Sequence, residues 1–129
     1  MNEEASALVI SIAKKFIEYA STAASSWDEA FLRFEGNNEA TGLTSIYRFG
    51  EKSSYFDYDD ELEFDFYSDV EKDFVKLQSL ILSDNGKEFC VCLARIDSDY
   101  NYKLYYEYED SKKWFITKMG GESGIPVLD

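Results

Sequence analysis

The chain has 129 residues, with 26 acidic against 13 basic side chains, a formal net charge of −13, and no histidine. That balance excludes a protein that grips a phosphate backbone, which needs clustered Lys and Arg. The missing imidazole excludes Ser-His-Asp and Cys-His catalysis. A hydrophobic content of 45% with 17% aromatics lets a chain of this length bury its own core, so one domain is expected over residues 1–118, with a loose tail over 119–129.

The start, MNEEASALVISIAKKF, has acids where a signal peptide needs bases. Its apolar run is broken by Ser11, Lys14 and Lys15 and is too short to span a bilayer. A cytoplasmic location with no membrane contact is the expectation. Residues 3–22 read as an amphipathic helix, with Ala5, Leu8, Val9, Ile12, Phe16, Ile17 and Ala20 on one stripe. Asn2 is placed to cap it, and Glu3 and Glu4 suit its first turn.

From Trp27 the period changes to two. AFLRFE puts Ala30, Leu32 and Phe34 on one face and Phe31, Arg33 and Glu35 on the other. Gly36 to Gly42 is a turn, LTSIYRF (43–49) a return strand, and GEKSS a loop. The stretch from Tyr55 to Asp73 then carries nine acids (Asp57, Asp59, Asp60, Glu61, Glu63, Asp65, Asp69, Glu71, Asp73) against one base, Lys72, a net −8 of the total −13. Its first part, YFDYDDELEFDFY, alternates. It predicts one or two strands with Leu62, Phe64 and Phe66 inward and Glu61, Glu63 and Asp65 outward. Acids aligned on one strand face repel, so a basic partner above or tight packing below must compensate.

Ser68 is placed to cap a second helix over about 69–83, with Glu71 at the capping-box position and a stripe of Val70, Phe74, Leu77, Leu80 and Ile81. SDNG stops it, Gly86 taking a left-handed position. KEFCVCLARID is a buried strand, SDYN a tight turn and YKLYYEYE the hairpin partner, with Tyr102, Leu104, Tyr106 and Tyr108 on one face. DSKKWFITKM adds a short helix or strand. The order predicts an α+β domain: an antiparallel sheet of about five to six strands with two main helices on one face.

No metal or cofactor is expected. Two cysteines do not close a zinc site, and Cys90 and Cys92, alternating in FCVCL, read as buried thiols of a reducing compartment. DYDDEL loosely suggests a calcium loop, but its sixth position is Leu62 and its twelfth Ser68, where Gly and Glu belong. No phosphate-binding glycine motif occurs. A binding surface is the stronger expectation, made by Asp57, Asp59, Asp60, Glu61, Glu63 and Asp65. Tyr100 and Tyr105 join it from the late hairpin, since Tyr is enriched at interface hot spots.

SWDEAFLRFE after an N-terminal helix, TGLTSIYRF as the next strand, VEKDFVKLQSLILSDNG as the central helix and YKLYYEYED before a Trp together resemble the YezG-like family of bacterial immunity proteins, over about residues 5–116. The resemblance implies a cytoplasmic antitoxin of polymorphic toxin or contact-dependent inhibition systems. Such a protein is no enzyme: it binds and neutralises a cognate toxin domain, often a nuclease. It carries over no site residues. The charge points the same way, because nuclease domains are usually basic and an acidic surface can occupy the region that binds nucleic acid. The alternative is an acidic adaptor or nucleic-acid mimic with another basic partner, such as a restriction or DNA-binding protein; a small enzyme or ligand-binding domain is the third class.

Overall fold

The structure, a computed structural model, describes residues 2–37, 39–56 and 60–128. Helix α1 runs Glu3–Ala23, and Asn2 Oδ1 accepts the Ala5 N–H at 2.7 Å, the expected N-cap. Strands β1 (Glu29–Gly36) and β2 (Thr41–Phe49) form the expected hairpin, and a short strand β3 (Lys52–Ser54) occupies what reads in sequence as a loop. Helix α2 runs Asp60–Asn85, followed by β4 (Val91–Asp97) and β5 (Tyr102–Glu107). Among the described residues the strands form one antiparallel five-stranded sheet in the order β3-β2-β1-β4-β5. With two helices on it, the fold is α+β, as expected.

The helices pack on one face, over Ala30, Leu32 and Phe34 of β1 and Cys92, Ala94 and Ile96 of β4. They run antiparallel: Asn2 bonds to Asp84 at one end, and Lys15 bonds to Asp69 and Asp73 further along. Phe34 stacks on Phe74 at 5.0 Å, and Phe66 stacks on Tyr19 at 4.3 Å. Such ring pairs add about 0.5–1.5 kcal/mol each beyond area burial. Gln78, buried in α2, donates from Nε2 to Gly36 O and Phe89 O, tying the helix to the end of β1 and to the segment that leads into β4.

The expected strands over 55–67 are corrected: α2 begins at Asp60, so Ser68 lies inside the helix instead of capping it. The segment satisfies two periods at once. Leu62, Phe64 and Phe66 alternate, but Leu62, Phe66, Val70 and Phe74 recur every four residues and extend the stripe already set by Leu77 and Ile81. The helical choice also puts Asp60, Glu61 and Glu63 in the first turn, where the helix dipole favours acids. A strand would instead have aligned Glu61, Glu63 and Asp65 in mutual repulsion. At the other end Gly86 takes φ 73° and its N–H closes on Leu82 O at 2.8 Å.

The tail, residues 111–128, takes in all the described part of the stretch expected to be loose and crosses the sheet's second face, where Trp114 and Ile116, and beyond them Ile125 and Leu128, pack with Phe31, Ile46, Leu93 and Tyr105. Arg33, which alternation places on this face, is buried beneath it. Its guanidinium donates to Lys113 O at 2.9 Å, Ser111 O at 2.8 Å and Glu35 Oε1 at 2.6 Å.

Candidate partner-binding surface

Asp57 and Asp59 lie outside the described residues. Asp60, Glu61 and Asp65 are exposed on the first turns of α2, while Glu63 is half-buried. Two residues advance a helix by about 200°, so Glu61 and Asp65, four apart, share a side and Glu63 lies on the opposite one. The expected single row of acids is therefore a cluster of Asp60, Glu61 and Asp65. At its centre stands Phe64, 71% exposed, with Asp60 and Glu61 one helical turn before it. Alternation assigns Phe64 to the core, so sequence reasoning missed it as a surface residue.

The later acids of the block work within the fold. Asp73 accepts from Ser11 Oγ at 2.8 Å and Lys15 Nζ at 2.9 Å, Asp69 from Lys15 Nζ at 3.1 Å, and Glu71 from Thr41 Oγ1 at 2.8 Å. Burial pulls the Lys15 pKa down, but the hydrogen bonds to Asp73 and Asp69 outweigh it and hold it above its ordinary value. Asp69, Glu71 and Asp73 thus bind α2 to α1 and to the β1–β2 hairpin, while Asp60, Glu61 and Asp65, around Phe64, face outward.

The two tyrosines do not join this cluster. Tyr100, 66% exposed, sits at the β4–β5 turn and lines a 530 Å³ groove with Ile10, Ala13, Ile17 and Tyr102. Tyr105, expected beside it, lies on the tail side of the sheet, edge-on to Trp114 at 6.0 Å with Lys103 Nζ over its ring at 5.0 Å. The structure therefore splits the predicted surface into an acid cluster on α2, an apolar groove along α1, and a Tyr105 site under the tail.

Among the described residues no group of three or more His, Cys, Asp or Glu is placed to hold a metal ion, and no helix is long and apolar enough to cross a membrane. Cys92 is fully buried, and burial pushes its thiol pKa well up, away from the reactive thiolate. Comparison with known proteins matched no family model and no curated protein.

Proposed function

We propose that the protein is a non-catalytic, cytoplasmic immunity protein. It neutralises a cognate, basic, nuclease-type toxin domain by docking it on the first turns of α2. The observation that carries this reading is Phe64, a large aromatic left exposed on α2 with Asp60 and Glu61 one turn before it and Asp65 next to it. An exposed aromatic flanked by acids matches a partner with an apolar pocket beside Lys and Arg. The resemblance to YezG-like immunity proteins supports the same reading.

The test is capture of the toxin domain encoded beside this gene, followed by affinity measurements. Wild type should bind it, and Phe64→Ala should weaken binding by about 2 kcal/mol or more with the fold intact. No capture, or full affinity in Phe64→Ala, overturns the reading. Capture of a different basic protein would instead favour the adaptor or mimic.

A further inference from the structure

The two edges of the sheet are finished differently. β3 is three residues long, and the tail crosses it: Lys118 Nζ donates to Ser53 O at 2.7 Å, and Ser53 Oγ donates to Ser123 O. β5, six residues long, ends the sheet on the other side. Among the described residues no hydrogen bond reaches its outer backbone. The Asp97 N–H donates to Asn101 O at 3.0 Å, and Arg95 lies opposite Lys103. That phase turns the backbone N–H and C=O of Lys103, Tyr105 and Glu107 toward β4, and those of Tyr102, Leu104 and Tyr106 outward. A bare edge of this kind is a template for another strand.

The side chains along the edge are complementary to themselves. We propose that β5 pairs antiparallel with β5 of a second copy, about a two-fold axis at Tyr105, giving a dimer with one continuous sheet. That register sets Lys103 opposite Glu107, Leu104 opposite Tyr106, Tyr105 opposite Tyr105 and Tyr102 opposite Tyr108. Every pair is either of opposite charge or apolar, the combinations that stabilise facing strands. Moving the register by two residues either way leaves Glu107 opposite Asn101 or Tyr105, without a cation. Lys103 and Glu107 also fall at the positions not hydrogen-bonded across the seam, where facing side chains come closest. A lysine near the middle of an edge strand ordinarily repels foreign strands; here its complement is supplied by the same sequence. The contact is isologous, so it closes at two copies.

The apolar surface beside the edge supports this occupant. Val9 and Ile10 of α1 line a 320 Å³ groove with Leu104 and Tyr106. Ile10 and Tyr102 are each 43% exposed. The two-fold brings this α1 flank of both copies to the seam. The interface then exceeds strand contact alone, toward the roughly 1,200–2,000 Å² of stable pairs.

Sedimentation velocity of the full chain over a concentration series tests this, with amide hydrogen exchange read at both ends of the series. A concentration-dependent dimer is expected, with the outward amides of Leu104 and Tyr106 protected in the dimer and fast in the monomer. Lys103→Glu should weaken dimerisation by about tenfold, since it replaces two opposite-charge pairs with like-charge pairs. Adding Glu107→Lys to that variant should restore it. The Glu107 carboxylate also accepts the Glu109 and Asp110 N–H groups, so the exchange measurement on wild type stands independently of that variant's folding. Three results would each overturn the proposal: a monomer throughout the series, a dimer whose Leu104 and Tyr106 amides stay fast, or a folded Lys103→Glu protein that dimerises as tightly as wild type.

Discussion

Arg33 Nε donates to the carbonyl of Lys113, 2.9 Å away and 80 positions later in the chain. A second nitrogen of the same guanidinium holds Ser111 O, and Phe115 lies against its plane with the ring centroid at 5.5 Å. One side chain thus anchors the start of the tail that covers Phe31, Ile46 and Leu93. Arg33→Met leaves two carbonyls without their donors and should destabilise the fold by about 2–5 kcal/mol. Arg33→Lys should recover little, because an ammonium on a flexible stem does not reproduce the planar fork. Urea melts measure the loss. Limited proteolysis should show the first cuts moving into 111–128, and a tail as resistant as wild type would contradict this anchor.

Gly124 secures the other end of the tail. Its φ is 81°, and a Cβ there would stand 2.6 Å from Ile46 Cδ1. Gly124→Ala meets both the left-handed backbone and the overpacking against Ile46, and should cost about 1–3 kcal/mol. Gly120, with φ 73° but nothing within 4 Å of its Cβ position, provides the control: Gly120→Ala bears only the backbone term and should cost less in the same thermal melts.

The start of α2 is tested by two phenylalanines two positions apart. A strand over 60–67 would turn both Phe64 and Phe66 inward. The helix buries Phe66 to 8% exposure and leaves Phe64 at 71%. Phe66→Ala should cost about 3–5 kcal/mol, while Phe64→Ala should leave stability within about 0.5 kcal/mol. Phe74→Ala, with Phe74 fully buried, should resemble the first, and Lys76→Ala on the exposed side the second. Equal losses for Phe64 and Phe66 would restore the strand.

What was legible in sequence follows from how many constraints each segment obeys. α1 has one periodicity, one cap residue and acids in the right turn, and the structure reproduces all three. β1 alternates cleanly, and the expected sharing of one face by Ala30, Leu32 and Phe34, with Phe31 on the other, is correct; the structure shows that the first face is the one under the helices. Residues 60–67 obey two periods, and only the downstream stripe from Val70 decides between them. The tail has no periodicity, because an irregular segment is shaped by the surface it crosses. Its signal was compositional: Trp114, Ile116, Ile125 and Leu128 needed a face, and Phe31, Ile46 and Leu93 offered one. Arg33 hid that face, since an arginine between apolar strand positions reads as solvent-facing unless its donors are matched to carbonyls elsewhere. The acid cluster was legible as charge, but its geometry depended on the helix.

Acid should loosen the β4–β5 hairpin through Asp97. Burial alone pushes this carboxyl up, but the backbone and side-chain bonds from Asn101, the Asp99 N–H and the charge of Arg95 outweigh it and hold it below the usual carboxylate value. The unfolded chain therefore takes up the proton first. The stabilisation is complete above the unfolded pKa of about 3.9 and is lost as pH falls through the lower folded value. Asp97→Asn should be less stable than wild type at neutral pH, with the gap narrowing in denaturant melts as pH drops from about 5 to 2. A gap that stays constant or widens would mean that Asp97 is not depressed. Glu107, which accepts the Glu109 and Asp110 N–H groups, is shifted in the same direction and adds to the acid sensitivity of this hairpin.

Charge at the start of α2 should control the rate of partner capture more than its lifetime. Asp60, Glu61 and Asp65 are exposed, so their pull on a basic toxin domain acts through solvent and is screened beyond about 8 Å at physiological ionic strength. Reversing all three to Lys should leave the helix folded, at the price of some repulsion from its N-terminal dipole. Association should slow by about tenfold or more at low salt, with a smaller change in dissociation. Wild-type association should fall steeply with added salt, and that of the triple variant should rise or stay flat. Glu63→Lys, on the opposite side of the helix and half-buried, should leave the association rate near wild type, so the comparison separates the local cluster from the net charge of the molecule. If Glu63→Lys slows capture as much per charge as the triple variant does, steering comes from the global −13 charge, and the docking site is not centred on Phe64.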